Sequence, residues 1–171
     1  MYKKGDFVVY GNNGVCIVDS VGTIESTGIP KDKIYYTLIP YYSKGSKIFT
    51  PVDNHRVSMR PVLSREEAIK LIDDIQNIDA LSISDDKRSE LEYKEAYQKY
   101  NCHDLVKIIK AAYLRKQLRI EDGKKVASGD EKYFLMAEDR LYGELAISLK
   151  MDQDEVKNFI VARMEQATTW E

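Results

Sequence analysis

The chain contains few of the residues on which metal sites and disulfide frameworks depend. Its 171 residues include two cysteines, Cys16 and Cys102, and two histidines, His55 and His103. The cysteines are far apart and fit neither a disulfide framework nor the spacing of zinc ligands. His103 follows Cys102 directly, and neighbouring residues of a helix point about 100° apart, which makes a shared metal ion geometrically awkward. We therefore predict no metal site and no cofactor, and a reducing compartment.

Long apolar segments are also missing. No apolar run approaches the roughly 18 residues that a membrane-spanning helix needs. The first residues, Met-Tyr-Lys-Lys-Gly-Asp, lead straight into a strand-like segment and lack the apolar stretch of a signal peptide. We expect no membrane partner and a cytoplasmic location.

Motifs that bind nucleotide phosphates or carry catalysis are not found. The sequence has no glycine-rich loop of the GxxxxGK[ST] or GxGxxG kind. Paired carboxylates at 66–67, 73–74 and 85–86 lie at predicted helix starts or on helix surfaces, where the helix macrodipole is a sufficient reason for them. Nothing implies the apolar pocket that a catalytic carboxyl group needs to shift its pKa. We therefore predict a protein that is not an enzyme and has no small-molecule substrate.

A basic segment lies between two acidic ones, although the net charge of the chain is only −2. Residues 87–125 contain eleven Lys/Arg and six Asp/Glu, residues 61–86 contain two and seven, and residues 126–171 contain five and ten. Such a segment can offer a local patch to phosphate groups without a basic isoelectric point. Charge alone leaves a second interpretation equally open, in which these are solvated helix faces.

The first sixty residues are typical of β structure. Five short stretches are rich in β-branched and aromatic residues, namely residues 7–10, 15–18, 33–40, 47–51 and 57–60. Gly11-Asn12-Asn13-Gly14 tolerates positive φ and predicts a tight hairpin between the first two strands. Residues 21–25 can extend the second strand, with Gly22 as a bulge or bend. Five strands with tight turns predict a small SH3-like or Tudor-like β-barrel.

After Pro61 the apolar residues recur at helical spacing. A second helix is expected to follow a break at 82–85 and to run to Tyr100, and a third to end before Gly123. The predicted helix starts are Ser64 in a capping box with Glu67, Asn101, Ser128 in a capping box with Glu131, and Asp152 with Glu155. We predict an α+β protein of two domains, a β-barrel over residues 1–62 and an all-α bundle of about five helices over residues 63–171.

Several segments together resemble a known family. In the N-terminal part they are KGDFVVY (4–10), GVCIV (14–18), YYTL (35–38) and PVDN (51–54). This series resembles the RNA-polymerase-interacting domain shared by CarD-type regulators and the transcription-repair coupling factor. In the helical part, DLVKIIK (104–110) and LYGELA (141–146) resemble CarD, whereas the coupling factor is a much longer helicase. The resemblance covers about residues 1–165.

The resemblance implies a bacterial transcription regulator with two partners and no catalysed reaction. The barrel would add an exposed strand edge to the β subunit of RNA polymerase, and the helical domain would contact promoter DNA at the upstream fork of the transcription bubble. The expected polymerase contacts are Lys47, Ile48 and Phe49 opposite Ile24 and Glu25, with Tyr36 from the tyrosine-rich third strand. The expected DNA contacts are Lys87, Arg88, Lys94, Lys116, Arg119, Lys124 and Lys125.

The sequence departs from the family pattern in two places. Family members often carry arginines on the polymerase edge, where Ile24 and Phe49 stand here, which implies a more apolar contact. Many also carry a tryptophan wedge at the start of the second helix, where this chain has Asp85-Asp86-Lys87-Arg88. The one tryptophan, Trp170, is too near the C-terminus to align there. Phosphate contacts position a protein and wedges distort DNA, so we expect DNA binding with a weaker effect on melting.

A protein-interaction module is the alternative that the sequence leaves open. In this interpretation a Tudor-like barrel and a helical bundle bind a protein partner and never DNA, and the acidic segments at 61–86 and 126–171 favour it. The two interpretations differ in one measurable property, because binding through phosphate contacts weakens steeply with salt.

Overall fold

The computed structural model describes residues 1–43 and 45–168, without the side chains of residues 167 and 168. The chain divides into two compact units, Met1–Val62 and Leu63–Glu171, which we call the sheet unit and the helical unit. Trp170 lies outside the described residues.

The sheet unit is a five-stranded antiparallel sheet in the order β4-β3-β2-β1-β5. The strands are β1 (Phe7–Tyr10), β2 (Val15–Gly22), β3 (Tyr35–Pro40), β4 (Ile48–Pro51) and β5 (Met59–Pro61). Five antiparallel strands are as predicted. The sheet is open, however, because no strand pairing in the described part of the chain joins β4 to β5. Closure into a barrel is therefore not seen.

The connection between β1 and β2 is a single 3-10 turn over Gly11–Asn13. Gly11 has φ +45°, and a Cβ atom there would lie 2.7 Å from Cγ1 of Val57. Its N–H donates to the carbonyl of Ser58 at 2.8 Å. The prediction of a bulge at Gly22 is wrong, because Gly22 pairs regularly with Tyr35 and the register shifts between Val18 and Ser20 instead.

One face of the sheet forms the core of this unit. Strand neighbours alternate between faces, so that every second residue of each strand points inward. The buried residues of the cluster are Val8, Tyr10, Cys16, Val18, Tyr36 and Leu38.

The described residues of the helical unit, 63–168, form five α-helices, as predicted. They are α1 (Arg65–Asp74), α2 (Ser89–Tyr97), α3 (Cys102–Glu121), α4 (Ser128–Leu149) and α5 (Gln153–Thr168). Ser64 and Glu67 form the predicted capping box, and the Asn101 side chain accepts from the N–H of Asp104 at 2.9 Å. Asp152 and Glu155 accept each other's backbone N–H groups at 2.8 and 3.0 Å.

Two predicted boundaries in this unit are wrong. Helix α2 ends at Tyr97 rather than Tyr100, and Tyr100 adopts a positive φ of 54° that a helix cannot continue. Ser128 is the first residue of α4 and not its cap, because Ala127 occupies that position without a side-chain hydrogen bond. Asp130, in the same first turn, points into the core instead.

The core of the helical unit contains buried residues of all five helices named above. Tyr93 is fully buried and stacks on Tyr133, with ring centroids 5.3 Å apart. The buried carboxylate of Glu144 accepts from the N–H of Leu63 at 3.0 Å and from Sγ of Cys102 at 3.4 Å. Within residues 1–43 and 45–168, no helix is long and apolar enough to cross a membrane. The same residues hold no group of three His, Cys, Asp or Glu side chains suited to a metal ion.

Candidate functional site

The first candidate surface is the free side of β4, which we call the edge surface and define by Lys47, Ile48 and Phe49. Strand β4 pairs with β3 alone, through Leu38↔Ile48 and Thr37↔Phe49. In an antiparallel pair, half of the backbone N–H and C=O groups of each strand point away from its partner. On β4 these groups have no strand partner among the described residues. The edge surface can therefore accept a further strand.

The side chains of the edge surface divide between core and solvent. Ile48 packs against the sheet core, and Thr50 is buried with its Oγ1 accepting from Nδ2 of Asn54 at 2.9 Å. Phe49 points the other way and exposes 47 % of its surface, and Lys47 is exposed beside it. An aromatic ring beside a lysine on a free strand offers a partner both apolar and charged contacts.

The expected position of Ile24 and Glu25 is wrong. Strand β2 ends at Gly22, so both residues lie in the following loop, and β3 separates β2 from β4 in the sheet. Lys47–Phe49 face Leu38 and Thr37 and not Ile24–Glu25. The sequence pattern identified the strands but not which of them are neighbours.

Tyr36 does not belong to the surface. Its side chain is 4 % exposed, its ring packs edge-on against Tyr2 at 5.9 Å, and its hydroxyl accepts from the N–H of Tyr2 at 3.0 Å. The alternation of strand residues could have shown this, because Tyr36 shares a face with Leu38. Of the tyrosines clustered around the third strand, Tyr41 and Tyr42 are exposed instead, and their rings meet edge-on at 4.9 Å.

The second candidate surface is the set of basic residues from the turn before α2 to the loop before α4, which we call the basic surface. It contains the seven predicted DNA contacts and Arg115. Lys87 and Arg88 lie in the turn before α2, Lys94 on α2, Lys116 and Arg119 on α3, and Lys124 and Lys125 in the loop before α4. Six of the predicted contacts are exposed, and Arg119 is half-buried.

Two of these cationic side chains, Arg115 and Arg119, contact one carboxylate. Asp86, in the turn before α2, accepts from Nη2 of Arg115 at 2.6 Å and lies 3.4 Å from Nη2 of Arg119. The hydrogen bond from Arg115 lowers the pKa of the Asp86 carboxyl below its ordinary value, and the charges of Arg115, Arg119 and Lys124 lower it further. Of the predicted contacts, Arg119 therefore lies beside the Asp86 carboxylate, and the charge of Lys124 also acts on that carboxylate.

Arg115 was not among the predicted contacts, although its spacing could have identified it. Arg115 precedes Arg119 by four residues, and side chains four apart share a helix face. Lys116, the predicted residue, points about 100° away from Arg115 around the helix. The role of Asp86 could not be predicted, because its partners are 29 or more residues away in the chain.

Two buried side chains, Asp130 and Tyr93, hold the Arg115 guanidinium group in place. Its Nε donates at 3.0 Å to Oδ1 of Asp130, a side chain only 1 % exposed, and the hydroxyl of Tyr93 donates to the same oxygen at 2.8 Å. Burial raises the pKa of the Tyr93 phenol, and the hydrogen bond to Asp130 raises it further. The phenol therefore stays protonated and keeps donating.

Comparison with known proteins identifies the sheet unit. Residues 2–63 match the family model described as the CarD-like/TRCF RID domain. No curated protein matches the chain. The matched residues contain all five strands and therefore the whole edge surface. The sheet unit is accordingly a protein-interaction domain of the CarD-like/TRCF family, the RNA-polymerase-interacting domain.

Proposed function

We propose that the chain is a CarD-type transcription regulator that binds RNA polymerase through the sheet unit and promoter DNA through the helical unit. The observation that carries this proposal is the family match of residues 2–63, which identifies a polymerase-interacting domain. The partner subunit is the β subunit, and the helical unit contacts DNA near the upstream fork of the transcription bubble. The site of action is the cytoplasm, where bacterial transcription occurs.

The free edge of β4 supports polymerase binding by strand addition. In this mode main-chain hydrogen bonds supply affinity, and side chains that alternate along the strand supply selectivity. Phe49 points outward at the centre of β4 and is nearly half exposed. Large aromatic side chains contribute strongly to binding when a partner covers them. Phe49 is therefore the residue on which we expect polymerase affinity to depend most.

The basic surface supports DNA binding. Residues 87–125 carry five more basic than acidic side chains in a chain whose net charge is −2. Lysines and arginines at phosphate groups release counterions and supply affinity that does not depend on base sequence. Such contacts set the position of a protein on the duplex. Binding to polymerase would bring the helical unit to the promoter.

The regulator catalyses no reaction and acts by changing the relative populations of the promoter states. A factor held on polymerase and touching the fork binds one promoter state better than another, and the preferred state becomes more populated. Open-complex formation or lifetime changes by this difference in affinity.

A substitution that places a charge on the edge surface tests whether this surface binds RNA polymerase. Phe49→Asp places a carboxylate in a mostly apolar contact and is expected to weaken binding to RNA polymerase at least tenfold, which corresponds to about 1.4 kcal/mol. Affinity is measured by biolayer interferometry with the full-length chain on the sensor. Ser58→Asp is the matched control, because it adds the same charge at an exposed residue next to the other edge strand, β5. Equal affinities for both variants would show that polymerase is bound elsewhere.

The protein-interaction module without DNA binding is the second candidate function. The acidic segments on both sides of residues 87–125 favour it, because they oppose a general attraction to nucleic acid. An affinity for DNA that does not fall with rising salt, or is absent at low salt, would favour this candidate.

A further inference from the structure

The exposed carboxylate of Asp86 pairs with cationic side chains that could otherwise bind an anion from outside the protein. It is 69 % exposed, yet it lies 2.6 Å from Arg115 and 3.4 Å from Arg119, and the charge of Lys124 also acts on it. Two guanidinium groups of α3 therefore meet at one anion on the surface. A guanidinium pair matches the geometry and charge of a phosphate.

The cluster is arranged before any ligand arrives. Asp130 holds Nε of Arg115 at 3.0 Å from inside the helical unit, and Tyr93 holds Asp130 at 2.8 Å. Nη2 of Arg115 consequently points outward to Asp86, and its direction does not depend on Asp86 alone. A group that is already oriented loses less conformational entropy when it binds.

We propose that Arg115 and Arg119 form a binding site for a phosphodiester group of the DNA backbone, and that Asp86 is an internal carboxylate that competes for it. This inference rests on the proposed function for its ligand and adds a regulatory contact to it. In free protein Asp86 fills the site. On DNA the phosphate displaces the carboxylate from the two guanidinium groups.

Displacement is physically accessible because the Asp86 side chain is 69 % exposed. Exposed ion pairs contribute little to stability and are screened by salt. The main chain at this turn is fixed independently of the carboxylate, since Oγ of Ser89 donates to the carbonyl of Asp86 at 2.9 Å. The carboxylate can therefore leave the arginines without unfolding the start of α2.

Removal of the competing charge should strengthen DNA binding. We expect Asp86→Asn to raise the affinity of the full-length chain for a duplex oligonucleotide about three- to tenfold at low salt. The salt dependence should steepen by up to about 0.9 in the slope of log K against log salt, because one more phosphate charge is neutralised. Fluorescence anisotropy of a labelled duplex measures both quantities. Glu121→Gln is the matched control, because it removes one exposed carboxylate in the last turn of α3.

A double-mutant cycle separates competition from a general change in charge. If Asp86 masks Arg119, then Arg119→Gln costs little affinity in the wild-type chain and several-fold more in the Asp86→Asn chain. Independent charge effects would add instead. Circular dichroism and thermal unfolding of each variant show whether the helical unit is intact.

Three outcomes would overturn the inference. The first is that Asp86→Asn and Glu121→Gln bind the duplex with equal affinity, or that the effects in the double-mutant cycle are additive. If the wild-type chain still binds DNA in that case, the proposed function stands. The second is that Asp86→Asn gains affinity for inorganic phosphate at constant ionic strength but none for the duplex, which assigns the site to the free ion. The third is no DNA binding by any variant at low salt, which removes the DNA half of the proposed function as well.

Discussion

At Gly11 the turn between β1 and β2 leaves no room for a side chain. The residue has φ +45°, and an added Cβ would lie 2.7 Å from Cγ1 of Val57. We expect Gly11→Ala to destabilise the sheet unit by about 2 kcal/mol or more, through backbone strain and overpacking together. Gly22→Ala serves as the control, since Gly22 has no positive φ and no atom within 4 Å of the added Cβ. Hydrogen exchange of the sheet-unit amides measures both free energies, and equal protection in the two variants would contradict the account.

Side-chain direction explains which single residues could be predicted from sequence. Phe49 was predicted on the surface and is exposed, whereas Tyr36 was predicted there and is buried. Both lie on strands, and alternation from Leu38 would have placed Tyr36 in the core. Asp86 and Asp130 are different, because their partner Arg115 lies 29 and 15 residues away along the chain. Only the packing of α2, α3 and α4 brings these charges together.

Helix α1 begins at a capping box, in which Ser64 and Glu67 each accept the other's backbone N–H. The Ser64 hydroxyl accepts from the N–H of Glu67 at 3.1 Å, and the Glu67 carboxylate accepts from the N–H of Ser64 at 2.8 Å. We expect Ser64→Ala to destabilise the helical unit by about 1 kcal/mol. Ser82→Ala, at an exposed loop residue of the same unit, should change its stability by less than about 0.5 kcal/mol. The urea midpoint of the helical signal in circular dichroism measures both, and an unchanged midpoint for Ser64→Ala would mean that the cap is dispensable.

Elements were predicted well where a local pattern determines them. Three predicted helix starts are observed, and each is capped by a side chain that accepts from the N–H three residues later. They are Ser64, Asn101 and Asp152. Ser128 followed the same local rule and was wrong as a cap, because Asp130 in that turn is used by Tyr93 and Arg115. The order of strands in the sheet was beyond local rules too, which is why Ile24 was expected opposite β4. Long-range contacts decide these cases.

At the scale of the whole molecule, each unit carries its own core and its own candidate surface. The edge surface lies in the sheet unit, and the basic surface lies in the helical unit. Under the function proposed above, the chain needs both surfaces at once, because the polymerase contact would bring it to the promoter and the phosphate contacts would position it on the duplex. Loss of either should remove the effect on the promoter, even when the other unit still binds its partner.

A footprint of the promoter open complex distinguishes binding through both units from binding through the sheet unit alone. The full-length chain is added to polymerase and promoter DNA, and protection is compared with that of the Phe49→Asp chain and of a Lys124→Glu/Lys125→Glu chain. We expect the wild-type chain to extend protection at the upstream fork, and both variants to lose that extension because each lacks one of the two contacts. A footprint that is unchanged by the wild-type chain while it is bound to polymerase would contradict the account and favour a module that binds protein and not DNA.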